Sequence, residues 1–337
     1  MRSFSLFGAV LTGSLMAVTL ATPAAAKEDL SKWIRPDTVP APKNNRITPE
    51  RIELGKFLYF DTRLSRDNTI SCATCHNPAL GWSDGEPKAV GIEGRRGPRN
   101  SPTVLNTAYQ RHQFWDGRAK SLEEQALGPI QADVEMDMDL DKLVERLNGI
   151  KGYRELFEKA YPGEGITKDT IAKAIATFER TVVSTEAPFD RYVKGDENAI
   201  SENAKKGFAL FTGKGKCNNC HDGFNFTDGS FHNLGLGDSD IGRYKLKKRA
   251  AWFHAFKTPT LRDVTLTAPY FHDGSIKTLE EATAVCGNGG RFYYSKNLSP
   301  LIVDRGLTPD EISLIVDFLK TLEGKPMNLE IPTSFPQ

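Results

Sequence analysis

A mainly α-helical chain in two similar halves, joined by long loops, is what the 337-residue sequence predicts. Apolar residues recur at helical spacing behind serine and threonine caps, and one pentapeptide occurs twice, once in each half. Strand signals are weak, while glycine and proline punctuate residues 81–102 and 213–242. Loops of that length are uncommon unless they serve a function.

The amino terminus carries a basic Met1-Arg2, an apolar stretch from Leu6 to Ala21 and a small-residue site at Ala24-Ala25-Ala26. This is the pattern of a secretory signal peptide over residues 1–26, so the mature chain is expected to begin near Lys27. No later stretch reaches the roughly 18 apolar residues of a membrane span. In a Gram-negative cell the expected compartment is the periplasm.

Thr48-Pro49-Glu50 opens the first helix with an N-cap and a proline at its first position, followed by Ile52, Leu54 and Phe57. Ser121 with Glu124, Thr278 with Glu281 and Thr308 with Glu311 read as capping boxes. Ile171, Ile175, Phe178 and Val182 form an apolar stripe after Thr167. Ile312, Ile315, Phe318, Leu319 and Leu322 form another that stops at Gly324. Helices containing Gly55 to Leu58 and Gly207 to Phe211 each precede one pentapeptide, a faint internal repeat. A boundary near Glu186-Ala187-Pro188 gives expected domains at 27–186 and 187–337.

Charge narrows the partners. With 44 basic and 43 acidic residues the formal net charge is +1, which gives no global field for nucleic acid or an anionic membrane. Lys245-Leu246-Lys247-Lys248-Arg249 is the one basic cluster, readable as a solvated loop or as a docking patch.

The repeated pentapeptides are Cys72-Ala73-Thr74-Cys75-His76 and Cys217-Asn218-Asn219-Cys220-His221, and they hold four of the five cysteines. C-x-x-C-H is the attachment signature of c-type haem. Two thiols on one turn add to the porphyrin vinyl groups, and the adjacent imidazole reaches the iron. A C-x-x-C pair alone would also suit a thiol redox motif or half a zinc site. The histidine after each pair, and the lack of a βαβ pattern around it, favour two covalent haems with His76 and His221 as iron ligands. Each porphyrin would give the surrounding loops an apolar core to wrap.

Further blocks extend the pattern: Leu54-Gly55-Lys56, Leu64-Ser65-Arg66, the run from Gly97 to Thr103, Phe114-Trp115-Asp116-Gly117-Arg118, Glu124-Gln125-Ala126 and Ala268-Pro269-Tyr270-Phe271-His272. In these the sequence resembles the bacterial dihaem cytochrome c peroxidases, in the superfamily that includes MauG. The run from Phe226 to Gly235 resembles the MauG-like branch more closely. The resemblance implies two cytochrome c-like haem domains with long loops. The first haem would meet hydrogen peroxide, the second would handle electrons, and Trp115 would lie between them. It also implies distal-pocket roles for Gln125 and Glu135, and a calcium site made by Asn100 with the backbone carbonyls of Thr267 and Pro269. Glu135 is then the candidate base, although its acidic run, Asp133 to Asp139, would ordinarily be a solvated face.

At two positions the sequence departs from the peroxidases. Val90-Gly91-Ile92-Glu93-Gly94-Arg95-Arg96 holds no histidine where many of them carry one that blocks the first haem, and Ile92 cannot ligate iron. An open first haem is the expectation. Cys286 matches the position of the methionine that completes the second haem in peroxidases, and of a tyrosine in MauG. Its thiolate is the preferred sixth ligand, with His232, His254, His272, Tyr293 and Tyr294 as competitors.

Three functions are therefore expected to compete. The first is a periplasmic peroxidase fed by a small cytochrome c or cupredoxin, sharing oxidising equivalents between its haems through Trp115. The second is a MauG-like oxidase of an organic or protein substrate. The third is a dihaem electron carrier or redox sensor, which an open first haem argues against.

Overall fold

The computed structural model describes residues 1, 29–237, 239–290 and 297–337, and the expected signal peptide, apart from Met1, lies outside them. The fold is mainly helical. In chain order the helices are α1 (Pro49–Phe60), α2 (Cys72–Cys75), α3 (Leu122–Gln131), α4 (Leu140–Asn148), α5 (Lys151–Ala160), α6 (Lys168–Glu179), α7 (Pro188–Val193), α8 (Glu202–Thr212), α9 (Tyr244–Lys247), α10 (Leu279–Gly287) and α11 (Pro309–Lys320). Among the described residues the only sheet pairs β1 (Phe231–His232) with β2 (Phe256–Lys257), antiparallel, with Phe231 opposite Lys257.

The caps act much as the sequence suggests. Thr48, Thr167, Ser201 and Thr308 each accept a backbone N–H of the first turn they precede. The Thr308–Glu311 box is reciprocal, with the Glu311 carboxylate 2.9 Å from the Thr308 N–H. Ser121 caps α3, but Glu124 takes the N–H of Lys120 rather than that of Ser121, so the expected box is displaced by one residue. Thr278 caps α10 through the Glu281 N–H.

The faint glycine repeat has a packing cause. α1 crosses α6 at Gly55, where an added Cβ would lie 2.0 Å from the Ala174 carbonyl oxygen. α8 crosses α11 in the same way at Gly207, where a Cβ would lie 1.9 Å from the Leu314 carbonyl oxygen. Only glycine lets two helix backbones approach so closely. In each half, therefore, a glycine-bearing helix leads toward a C-x-x-C-H turn and packs on a later helix whose apolar stripe is buried. All of Ile171, Ile175, Phe178 and Val182, and all of Ile312, Ile315, Phe318, Leu319 and Leu322, are buried.

Two apolar clusters result. One gathers Leu54, Leu58, Tyr59, Trp82, Leu143, Phe157 and Phe178; the other gathers Phe189, Phe208, Phe211, Phe226 and Phe318. The chain ends cross between them. Trp33, fully buried, stacks on Phe226 in the second cluster at 4.9 Å, whereas Met327, Leu329 and Phe335 near the carboxyl end pack on the first. This exchange ties the halves together by more than the segment near Pro188.

Candidate functional site

Each C-x-x-C-H forms a single tight turn. Cys72–Cys75 is one turn of α-helix capped by Ser71, and Cys217–Asn219 is a 3-10 turn. His76 and His221 are both half-buried by exposed surface, and burial holds each imidazole below its ordinary pKa, in the neutral form that binds metal.

The two imidazoles are oriented alike. His76 Nδ1 lies 3.3 Å from the Trp82 carbonyl oxygen, and His221 Nδ1 lies 2.9 Å from that of Phe226. With Nδ1 donating to a carbonyl, Nε2 is left as the free donor to a metal. Both acceptors, Trp82 (φ 61°) and Phe226 (φ 50°), are buried aromatic residues in the left-handed region. Bulky side chains pay for that conformation, and finding it twice at matching places ties the strain to histidine orientation.

The donor set fits c-type haem. Paired thiols on one turn, an adjacent neutral imidazole oriented through Nδ1, and an apolar surround are what covalent attachment and axial ligation require. A zinc site is not favoured. Among the described residues the only converging set of three metal-ligating side chains is Cys220, Asp228 and His232, which includes neither Cys217 nor any residue of the first motif.

A cavity of about 240 Å³ lies beside the second motif, lined by Cys217, Cys220, His221, Cys286, Leu319 and Trp115. Cys286 thus shares one cavity with His221, and burial pushes its thiol up to about 12, so the unligated group is a neutral thiol. His232, His254 and His272 line the same cavity. Both nitrogens of His232 are engaged, Nε2 with Asp228 at 2.8 Å and Nδ1 with Ser299 at 3.1 Å. Burial opposes its charge, but Asp228 and the Cys220 sulfur outweigh burial and push His232 up to about 9. His254 Nδ1 is 2.7 Å from the Asp240 carbonyl, and His272 stacks on Phe256 at 3.5 Å. Tyr293 and Tyr294 lie outside the described residues.

Trp115 is clamped on both sides. Its indole N–H donates to the Asn100 carbonyl at 2.9 Å, its own carbonyl accepts the Lys257 N–H at 2.7 Å, and its ring meets His272 edge-on at 6.5 Å. Gly128 of α3 leaves room for the preceding Phe114 ring, so the helix carrying half-buried Gln125 packs beside the Trp115 turn. Asn100 donates its side-chain amide to the Glu86 carbonyl at 2.8 Å. Thr267 and Pro269 line the same cavity as Asn100.

The acidic run around Glu135 divides by direction. Asp137 faces Arg66 at 3.0 Å and Arg95 at 3.3 Å, and the Asp133 carbonyl accepts from Arg95 at 2.7 Å. Glu135 is instead half-buried among neighbours that raise its carboxyl pKa, burial being the main cause and the Arg118 charge opposing it. Ile92, fully buried, donates its N–H to the Glu135 carbonyl at 2.8 Å. Next to it, a Cβ on Gly91 would lie 2.6 Å from the Glu135 Cα. The loop without a histidine is therefore locked against the loop that carries the candidate base.

Sequence reasoning missed several contributors. Trp82 and Phe226 act through backbone carbonyls, which leave no residue signature. Arg66 and Arg95 pin the Glu135 loop, and Arg118 moderates its charge. Lys257 lines the cavity beside the second motif, hydrogen-bonds the Gln110 side chain, and is pushed down to about 8 by burial.

A family model described as di-haem cytochrome c peroxidase matches residues 49–198. The chain is 46% identical over 339 residues to the methylamine utilization protein MauG of Methylorubrum extorquens, covering 96% of this chain and 95% of that one. It is 38% identical to the cytochrome c551 peroxidase of Pseudomonas aeruginosa over 95% of this chain and 93% of that one. Among solved structures, a MauG-like protein associated with microbial copper homeostasis aligns with TM-score 0.81 at 31% identity, over 89% of this chain and 96% of that one. The diheme peroxidase BthA of Burkholderia thailandensis shares the fold, with TM-score 0.73 at 22% identity over 86% of this chain and 90% of that one.

Proposed function

The chain belongs to the di-haem cytochrome c peroxidase family, a family of oxidoreductases that carry two haems, and on that premise we propose that it is a periplasmic peroxidase whose first haem is open to hydrogen peroxide. The observation that carries the proposal is Ile92, buried and hydrogen-bonded to the Glu135 backbone where a blocking histidine would otherwise stand. Residues 27–186 would form the first cytochrome c-like domain and 187–337 the second. The twice-used glycine crossing and the paired histidine orientation support that division.

Cys72, Cys75 and His76 would hold the first haem, and Cys217, Cys220 and His221 the second. When bound, the first haem supplies the iron and the electrons that cleaving the peroxide O–O bond demands. Glu135 takes the peroxide proton, and its raised carboxyl keeps that proton ready to return. Gln125 orients the oxygen from α3. Trp115, held by Asn100 and Lys257, passes oxidising equivalents between the halves through its polarisable, oxidisable ring. Asn100 Oδ1 and the carbonyls of Thr267 and Pro269 offer hard oxygens around one cavity, which suits Ca2+.

A second reading, a MauG-like oxidase of an organic or protein substrate, is favoured by Ile92 together with the 46% identity to a MauG. Mixing the peroxide-treated protein with a reduced small cytochrome c separates the two. Rapid repeated turnover marks a peroxidase; an oxidised state that persists beside the cytochrome marks the oxidase.

Cys286, which lines the same cavity as His221, would be a second protein ligand to the second haem. Cys286→Met is expected to leave both haems attached, because Cys217 and Cys220 carry the thioethers, and to raise the second haem's reduction potential, because a neutral thioether favours ferric iron less than a thiolate does. Redox titration of wild type and variant checks this. Identical potentials and unchanged low-spin spectra would make Cys286 a bystander.

A further inference from the structure

The segment from Ile241 to Arg262 contains no acidic residue and seven basic ones. Two of these are committed: Arg243 donates to the Asp116 carbonyl at 2.8 Å, and Arg262 forks onto Asp190 at 2.8 and 3.0 Å. Lys257 is turned inward. Lys245, Lys247, Lys248 and Arg249 are all exposed, and none forms a salt bridge among the described residues. A cluster of four unneutralised cations on a molecule of net charge +1 is a strong local field.

This stretch is folded. α9 carries the first lysines, Gly242 bridges Ala255, and the His254 N–H donates to the Ile241 carbonyl at 3.1 Å. Apolar and aromatic groups interleave with the charges. Leu246 is 41% exposed, Lys248 lies over the half-buried Tyr244 ring at 5.2 Å, and Arg249 lies over half-buried Trp252 at 5.0 Å. Tyrosine, tryptophan and arginine set among exposed charges are residue types that protein-docking surfaces favour, which a merely solvated loop does not need.

The patch also leads inward. Tyr244 meets Phe253 at 5.3 Å, Phe253 meets His254 at 4.3 Å, and His254 lines the cavity shared by His221 and Trp115. Arg243, over Trp252 at 4.9 Å, anchors the same patch to the carbonyl of the residue after Trp115.

We infer that the face formed by Tyr244, Lys245, Leu246, Lys247, Lys248, Arg249 and Trp252 docks a redox protein with an acidic surface, beside the wall of the second haem cavity. The inference rests on the proposed redox function and names the chemistry of its macromolecular partner. Charge complementarity commits it to an acidic partner, since a basic protein would be repelled at contact.

The probes are two reduced c-type cytochromes, one of strongly negative and one of strongly positive net charge, and the variant is K245E/K247E/K248E. Binding of each to the resting protein is measured against salt concentration, and electron transfer is measured after peroxide addition. The acidic cytochrome should bind more tightly and react faster with wild type, lose that advantage as salt rises, and react at least about tenfold more slowly with the variant. Hydroquinone, an uncharged reductant, should reduce both proteins equally. An unchanged acidic-cytochrome rate in the variant, or a faster reaction of wild type with the basic cytochrome, would overturn the inference. So would capture of wild type alone by phosphatidylglycerol vesicles, without any effect of the variant on the cytochromes, because the patch would then be a lipid-facing one. Failure of the peroxidase reading shows separately, as no oxidation by peroxide, while the binding measurement still decides the docking surface.

Discussion

Glu135→Gln is expected to slow the reaction of the oxidised protein with hydrogen peroxide by roughly 10²–10⁴-fold, the usual contribution of a positioned general base. The amide keeps the shape of the side chain and loses only the capacity to take a proton. Burial raises the Glu135 carboxyl above its ordinary value, and Arg118 pulls it part of the way back. The ionised form is the base, so the wild-type rate should fall as pH drops through that raised pKa, and the glutamine variant should lose this acid limb. Rapid mixing across a pH series checks both statements. Equal rates for the two proteins at neutral pH would return Glu135 to the role of an ordinary acidic surface residue.

Trp115→Phe is expected to keep both haems attached while separating them functionally. Phenylalanine fills most of the indole space but is far harder to oxidise, and it leaves the Asn100 carbonyl without its 2.9 Å donor. Transfer of oxidising equivalents from the first half to the second should slow by at least roughly tenfold, which corresponds to about 1.4 kcal/mol of added barrier. Freeze-quenched samples taken after peroxide addition, read at each haem, would show the equivalents retained in the first half. Sharing at the wild-type rate would remove Trp115 from the path. A thermal unfolding scan guards the result, because loss of a buried hydrogen bond costs about 1–3 kcal/mol.

Much of this molecule is legible in its residues, and the boundary of legibility has a physical cause. The C-x-x-C-H turns, the threonine and serine caps, and the stripes of α6 and α11 are set by short-range spacing, so the sequence displays them directly. Gly55 and Gly207 stand out as a repeat, yet their purpose emerges only when the Ala174 and Leu314 carbonyls arrive across helix crossings. The orientation of His76 and His221 depends on carbonyls of Trp82 and Phe226, and any residue type supplies a carbonyl. The direction in which Glu135 turns is hidden for another reason. Its run has no helical or strand period, and the choice of Asp137 for Arg66 and Arg95, with Glu135 turned inward, is made by long-range ion pairs. Ser121 shows the same limit on a smaller scale: its capping motif is present, but Glu124 bonds one residue earlier than the motif implies.

The central claim is that the first haem would need no reductive opening, because Ile92, fixed to the Glu135 backbone, stands where the family resemblance puts a blocking histidine. Stopped-flow mixing of the fully oxidised protein with hydrogen peroxide, with no reductant present, tests it most directly. The account predicts an immediate change in the haem absorbance whose rate rises with peroxide concentration. A spectrum that stays unchanged until one electron is added would contradict it.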